Sequence, residues 1–157
     1  MYSYSSEFPT VSKYDQTQWR IPYQIEQVTV GDGEASVQQY RSQHLLHPRK
    51  PSLAERQVLI AGKLNENVGA YIYGHYDAGT QQTLQAMVAM DDIPEGVKVE
   101  IKSIFPWIQS CLGYYYAKKT AILASDTPEL VIWDFSELDS SKPAVTLPGI
   151  MAGLVAV

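Results

Sequence analysis

PEGVKVEIKSIFPWIQSCLGYYYAKKTAILA, residues 94–124, is the stretch whose reading decides the fold. Val97, Ile101, Ile104, Ile108, Cys111, Tyr115 and Ile122 fall at steps of four and three, interrupted only at Lys118. That is the spacing of one helical face, whereas a strand would have put them on both sides. Pro94 suits a first helical position, where its missing N–H has no partner to lose. Asp91, Asp92 and Glu95 set negative charge at the positive end of the helix dipole, and Lys118 and Lys119 match the other pole. Pro106 lies in the interior, where it removes one ladder hydrogen bond and crowds the carbonyl of Lys102, so the stretch reads as one long helix kinked once. Tyr114, Tyr115 and Tyr116 are consecutive, and at about 100° per residue they fan across roughly 200° of the circumference. Burying the seven stripe side chains is worth a gross term on the order of 10–20 kcal/mol. The stripe therefore needs partners, either inside its own fold or on another chain.

At 157 residues the chain is long enough for one domain with a real core, with or without an arm. Its formal net charge of −5, with no basic stripe, argues against nucleic acid as a partner. Cys111 is the only cysteine and sits on the apolar stripe. Internal disulfides and thiolate metal sites are thereby excluded, and a buried, inert thiol is expected. The opening MYSYSSEF has no basic region followed by an apolar run, and LPGIMAGLVAV at the other end is far shorter than the roughly 20 residues of a membrane helix. No membrane partner is expected. Eleven tyrosines are the compositional excess. Tyrosine suits surfaces that are apolar yet hydrogen-bonding, so the excess favours interfaces first and sugar stacking second over a plain core.

Taken in order, residues 1 to about 20 are polar and aromatic without periodicity, and read either as a frayed terminus or as an aromatic arm docking on a neighbouring subunit. Ile25, Val28 and Val30 before Gly31-Asp32-Gly33, with Ala35, Val37 and Tyr40 after it, predict a β-hairpin. The glycines lack the spacing and the lysine of a phosphate loop, so they read as a turn. His44 and His47, three apart, would share one helical turn, but no third ligand lies nearby and no metal site is expected. HPRKP, residues 47–51, marks a linker, which places an arm over 1–48 and a mainly helical domain over 49–157.

Ser52 and Glu55 form the capping box of a helix over the following residues to about 76, although a second hairpin turning at Asn65-Glu66-Asn67 competes with it. Thr80 is placed to cap a short helix, QQTLQAMVAM. His75 and Asp77 suggest a base and its orienting carboxylate, but no nucleophile motif accompanies them, and a loop pair holding backbone groups is the expectation. Thr127-Pro128-Glu129 signals a helix start, so ELVIWDFSEL reads as a short helix, with a buried strand as the alternative. Asp134, Glu137 and Asp139 read as a solvated face rather than a cation site. VTLPGIMAGL predicts one last helix. The fold class expected is α+β, an N-terminal β-hairpin arm followed by a mainly helical domain built around the long kinked helix.

Three segments, YIYGHYDAGTQQTLQAM, IFPWIQSCLGYYYAKKTAI and WDFSELDSSKPAVTL, together resemble a recurrent module in virion structural proteins of tailed bacteriophages, associated with the tail, baseplate or fibres. In that module an aromatic turn of YxxxxYDxxTQ type precedes a helix rich in YYY and a W-D-F segment, and the resemblance covers roughly residues 60–147. It implies a scaffold or adaptor made in the host cytoplasm and built into the virion tail, where it assembles with copies of itself and other virion proteins. The motifs are packing motifs, so no catalytic, cofactor or metal residue carries over. Interface residues expected on the tyrosine argument and this resemblance are Trp107, Tyr114, Tyr115, Tyr116, Tyr71, Tyr73, Tyr76 and Trp19. The alternative is a carbohydrate- or small-ligand-binding module using surface tyrosines.

Overall fold

A computed structural model describes residues 2–31 and 36–155. A strand-rich N-terminal region is followed by a mainly helical one, as the sequence predicts. By contacts the chain groups into two compact units that alternate along the sequence, Met1–Leu64 with Ala117–Trp133 and Asn65–Tyr116 with Asp134–Val157. This division differs from the change of secondary structure read at residue 48.

In the first unit β1 (Ser3–Ser5), β2 (Ser12–Lys13), β3 (Trp19–Val30) and β4 (Val37–His47) form an antiparallel sheet in the order β1-β4-β3-β2. The predicted hairpin is its centre, though longer than expected. The turn expected at Gly31-Asp32-Gly33 lies outside the described residues except for Gly31, whose φ of 100° is open to glycine. Residues 2–20 are not a frayed terminus, because their two short strands pair along the edges of the chain's own sheet. Likewise His44 and His47 stand on a strand and not on a helical turn.

Between Tyr23↔Gln43 and Glu26↔Arg41 two residues of β3 oppose one of β4, a bulge that puts Gln24 at a φ of 50°. Three side chains and one backbone carbonyl lock it. Tyr23 Oη donates to Gln43 Oε1 at 2.8 Å, Gln43 Nε2 to Gln24 Oε1 at 2.8 Å, and Gln24 Nε2 to the Trp133 carbonyl at 2.9 Å. Gln24 is only 4% exposed, so each of these bonds replaces water that cannot reach it.

Helix α1 (Leu53–His75) settles the choice between helix and hairpin for this stretch. Its capping box is complete, since Ser52 N–H donates to Glu55 Oε2 at 2.8 Å and Glu55 N–H to Ser52 Oγ at 3.3 Å. The next helix, α2 (Ala78–Ala89), starts earlier than predicted because Asp77, not Thr80, is its cap. Asp77 Oδ1 accepts from Thr80 N–H at 2.7 Å, and that bond holds its carboxyl below the usual range.

The long helix consists of α3 (Glu95–Lys102) and α4 (Ile104–Ala124), a 30-residue run bent by only 6°. The break falls at Ser103, whose N–H is shared by the carbonyls of Val99 and Glu100. Pro106 thus sits in the first turn of α4, where a backbone N–H has no partner within that helix, and this is why the bend is slight. Of the seven stripe residues Ile101, Ile104, Cys111 and Ile122 are fully buried, while Val97, Ile108 and Tyr115 keep part of their surface.

ELVIWDFSEL is not one helix. Pro128–Leu130 makes a single 3-10 turn, the chain then runs extended, and α5 (Ser136–Asp139) adds one turn. The reason lies in the backbone bonds of the extended piece. Lys118 Nζ donates to the Ile132 carbonyl at 2.8 Å, and Tyr114 Oη accepts from Asp134 N–H and donates to its carbonyl, besides the bond from Gln24 to Trp133. Side chains here replace a ladder. The final helix, α6 (Leu147–Val155), stands where it was predicted.

Candidate functional site

The eight residues expected at an interface divide into three groups. Trp107 and Tyr76, 2% and 3% exposed, belong to the core of the second unit. Trp107 Nε1 donates to the Leu138 carbonyl at 3.0 Å, and Tyr76 Oη lies 3.1 and 2.9 Å from the carbonyls of Pro143 and Val145. Both are corrections, because a side chain enclosed by its own chain offers nothing to a neighbour. The sequence argument could not separate the cases, since an apolar ring with a polar tip suits an interface and a buried carbonyl equally.

Tyr71 and Tyr114 are half-buried and hold the segment that carries α5. Tyr71 stacks on Phe135 with centroids 4.9 Å apart and donates its hydroxyl to Asp139, while Tyr114 meets Phe135 edge-on at 5.9 Å. Burial, and then the Asp139 carboxylate, push the Tyr71 phenol well above its ordinary value. Tyr114 is raised mainly by burial. Cys111 is buried, and its thiol is pushed up to about 11 by burial. These groups keep their protons at neutral pH.

His75 and Asp77 share no hydrogen bond among the described residues. His75 Nδ1 lies 3.2 Å from Lys142 Nζ and its ring meets Tyr71 and Trp107 edge-on, while Asp77 is occupied with the α2 cap. His44 Nδ1 is 3.1 Å from Ser3 Oγ, and His47 Nδ1 is 2.7 Å from the Arg49 carbonyl. Asp134 holds Ser136 and Asp139 holds Tyr71, so the acidic residues do not converge. Among the described residues no group of three or more such ligands could hold a metal ion.

Tyr73, Tyr115 and Tyr116 form the third group. In the second unit they rim a groove of about 400 Å³ between residues 65–73 of α1 and 108–116 of α4. Tyr73 and Tyr116 are 58% and 61% exposed, and the rings of Tyr115 and Tyr116 lie 5.1 Å apart. Ile72, Ile108 and Leu112 line the groove, and Asn65 and Gln81 bring amides to it. Spacing explains the arrangement, because Val68 and Ile72 on α1, and Leu112 with the stripe residues Ile108 and Tyr115 on α4, recur at three or four. Asn65 and Gln81 were not anticipated, and nothing in their local sequence marks them. Trp19 is separate from this group. It opens β3 in the first unit, opposite His47, with Lys50 Nζ 5.9 Å from its ring centroid.

Comparison with known protein families, with curated proteins and with solved structures finds no match. Among the described residues no helix is long and apolar enough to cross a membrane.

Proposed function

We propose that the chain is a structural or adaptor subunit that assembles with copies of itself and with other virion proteins, in the tail, baseplate or fibres of a tailed bacteriophage. The resemblance of residues 60–147 supplies the setting. The observation that carries the assembly reading is the tyrosine-rimmed groove, where two rings more than half exposed stand over an aliphatic floor. Tyrosine delivers large apolar area at low conformational cost and is enriched among the anchors of interfaces. The same residues in a plain solvated helix would leave apolar surface in water without return.

Size-exclusion chromatography with light scattering at micromolar concentration tests this. The expected result is an oligomer that Tyr73→Ala with Tyr116→Ala dissociates, since truncating two anchors costs about 1–2 kcal/mol each and so roughly five- to thirtyfold apiece in the dissociation constant. A stable monomer of the unaltered chain, with no virion protein retained by it, sinks the proposal. The amides of Asn65 and Gln81 beside the same tyrosines favour a second reading, a glycan site. Glycan-array binding that disappears in Tyr73→Ala while the oligomer persists would select it.

A further inference from the structure

A second cavity, of about 370 Å³, lies wholly in the first unit, within the roughly 300–1,000 Å³ typical of small-molecule sites. Its apolar wall comes from Phe8, Val11, Ile25 and Leu130. Lys50, Arg56 and Glu129 supply charge. Arg56 and Glu129 form an ion pair, and Glu129 is 6% exposed. A part-buried pair of this kind adds little net stability over apolar residues of the same volume, so its presence on a cavity wall calls for another explanation.

Hydrogen-bonding capacity gives one. A guanidinium has five donors and a carboxylate about four acceptor positions. Among the described residues a single hydrogen bond joins Arg56 to Glu129, and no other engages either side-chain charge. The one buried side-chain polar atom with no partner among the described residues is Arg41 Nε, so the remaining oxygen of Glu129 is not sealed in the interior. Glu129 itself lines the cavity. The wall thus offers spare donors on two cations and spare acceptors on one anion, beside an apolar surface.

A ligand with only a negative charge would face Glu129, and one with only a positive charge would face Arg56 and Lys50. A zwitterion laid antiparallel along the ion pair satisfies both. We propose that this cavity binds a free α-amino acid with an apolar side chain, its carboxylate meeting Arg56 and Lys50, its ammonium meeting Glu129, and its side chain against Phe8, Val11 and Leu130. The site does not rest on the interface reading, which concerns the other unit.

Heteronuclear NMR titration of the full chain tests it with L-leucine, L-phenylalanine, N-acetyl-L-phenylalanine, L-phenylalaninamide and glycine. The expected result is saturable shifts at the amides of residues 8, 10, 11, 23–25, 127, 129 and 130 with leucine or phenylalanine. The acetylated and amidated derivatives, each lacking one charge, should bind at least fivefold more weakly, and glycine should not saturate. Lys50→Gln and Leu130→Ser alter exposed positions and should weaken binding at least threefold while the rest of the spectrum stays in place. Glu129→Gln should abolish discrimination against the acetylated derivative. No saturable shift in these segments, or equal affinity for phenylalanine and its two single-charge derivatives, overturns the proposal.

Discussion

Residues 19–25 and 131–135 are both extended and both rich in Ile, Val, Tyr, Trp and Phe, yet they are held by different means. The first lies in a sheet, paired with β4 on one side and at its start with β2 on the other. The second has no strand beside it among the described residues, and its backbone groups are met by Lys118, Gln24 and Tyr114. A ladder needs only that neighbouring strands have compatible patterns. A segment held by side chains needs particular residues at particular places, so single substitutions should damage the second segment more than the first.

The strongest way to break this contrast is at Trp107, which donates to the carbonyl of Leu138 in α5, the helical turn that follows the second segment. Trp107→Ala removes a 2%-exposed ring and the bond together, and should cost about 3–5 kcal/mol in urea unfolding. Trp107→Phe keeps most of the volume and should lose about 0.5–1.5 kcal/mol, the part due to one hydrogen bond, since Ser141 Oγ still donates to the same carbonyl at 3.1 Å. A Trp107→Phe variant as stable as the unaltered chain would mean that packing alone acts here, and the contrast with β3 would fail.

Gln24 belongs to both segments at once, since it sits in the β3 bulge and donates to Trp133. Gln24→Ala should cost about 1–3 kcal/mol by stranding that carbonyl and the Gln43 amide. Gln24→Gly loses the same bonds but relieves the φ of 50°, worth about 1–2 kcal/mol to a residue with a Cβ. Glycine should therefore be the milder substitution, against the usual order within strands. Thermal melts of the two variants decide it, and a glycine variant less stable than the alanine one would show that the bulge is not strained.

The same difference explains what could be read from the sequence. The central hairpin and α1 were legible because their signals are local, an alternation of two on either side of a glycine turn and a capping box three residues wide. The edge strands Ser3–Ser5 and Ser12–Lys13 were not, because two or three residues carry no period. ELVIWDFSEL was misread as a helix for a related reason. Its partners lie up to 109 positions away, and a Thr-Pro-Glu cap signal was the only local feature to weigh. In the groove, Tyr73, Tyr115 and Tyr116 were found by composition. Trp107 and Tyr76 were assigned with them because burial depends on the distant residues 138–145 that accept their hydrogen bonds.

A local side-chain bond should behave like the distant ones in kind and differ only in size, and the capping box at Ser52 and Glu55 offers the smallest effect. Glu55 is held at about 2, below its usual 4.5, first by Ser52 N–H and then by the Arg49 guanidinium. A lowered value in the folded chain means that the folded state favours the ionised form. Its contribution is therefore fully present above about pH 4.5 and is lost as pH falls toward 2. Other acids shift too, Asp77 and Asp134 among them, so the informative quantity is the difference in melting temperature between the unaltered chain and Glu55→Gln. That difference should be positive near pH 6, be mostly gone near pH 2 and vanish below it. Raising the salt concentration should reduce only the share that Arg49 supplies, because screening acts on charge pairs and far less on a backbone hydrogen bond. Were the difference as large at pH 2 as at pH 6, the carboxylate would not be what caps α1, and a hydrogen bond across three residues would no longer stand as the local counterpart of those that span a hundred.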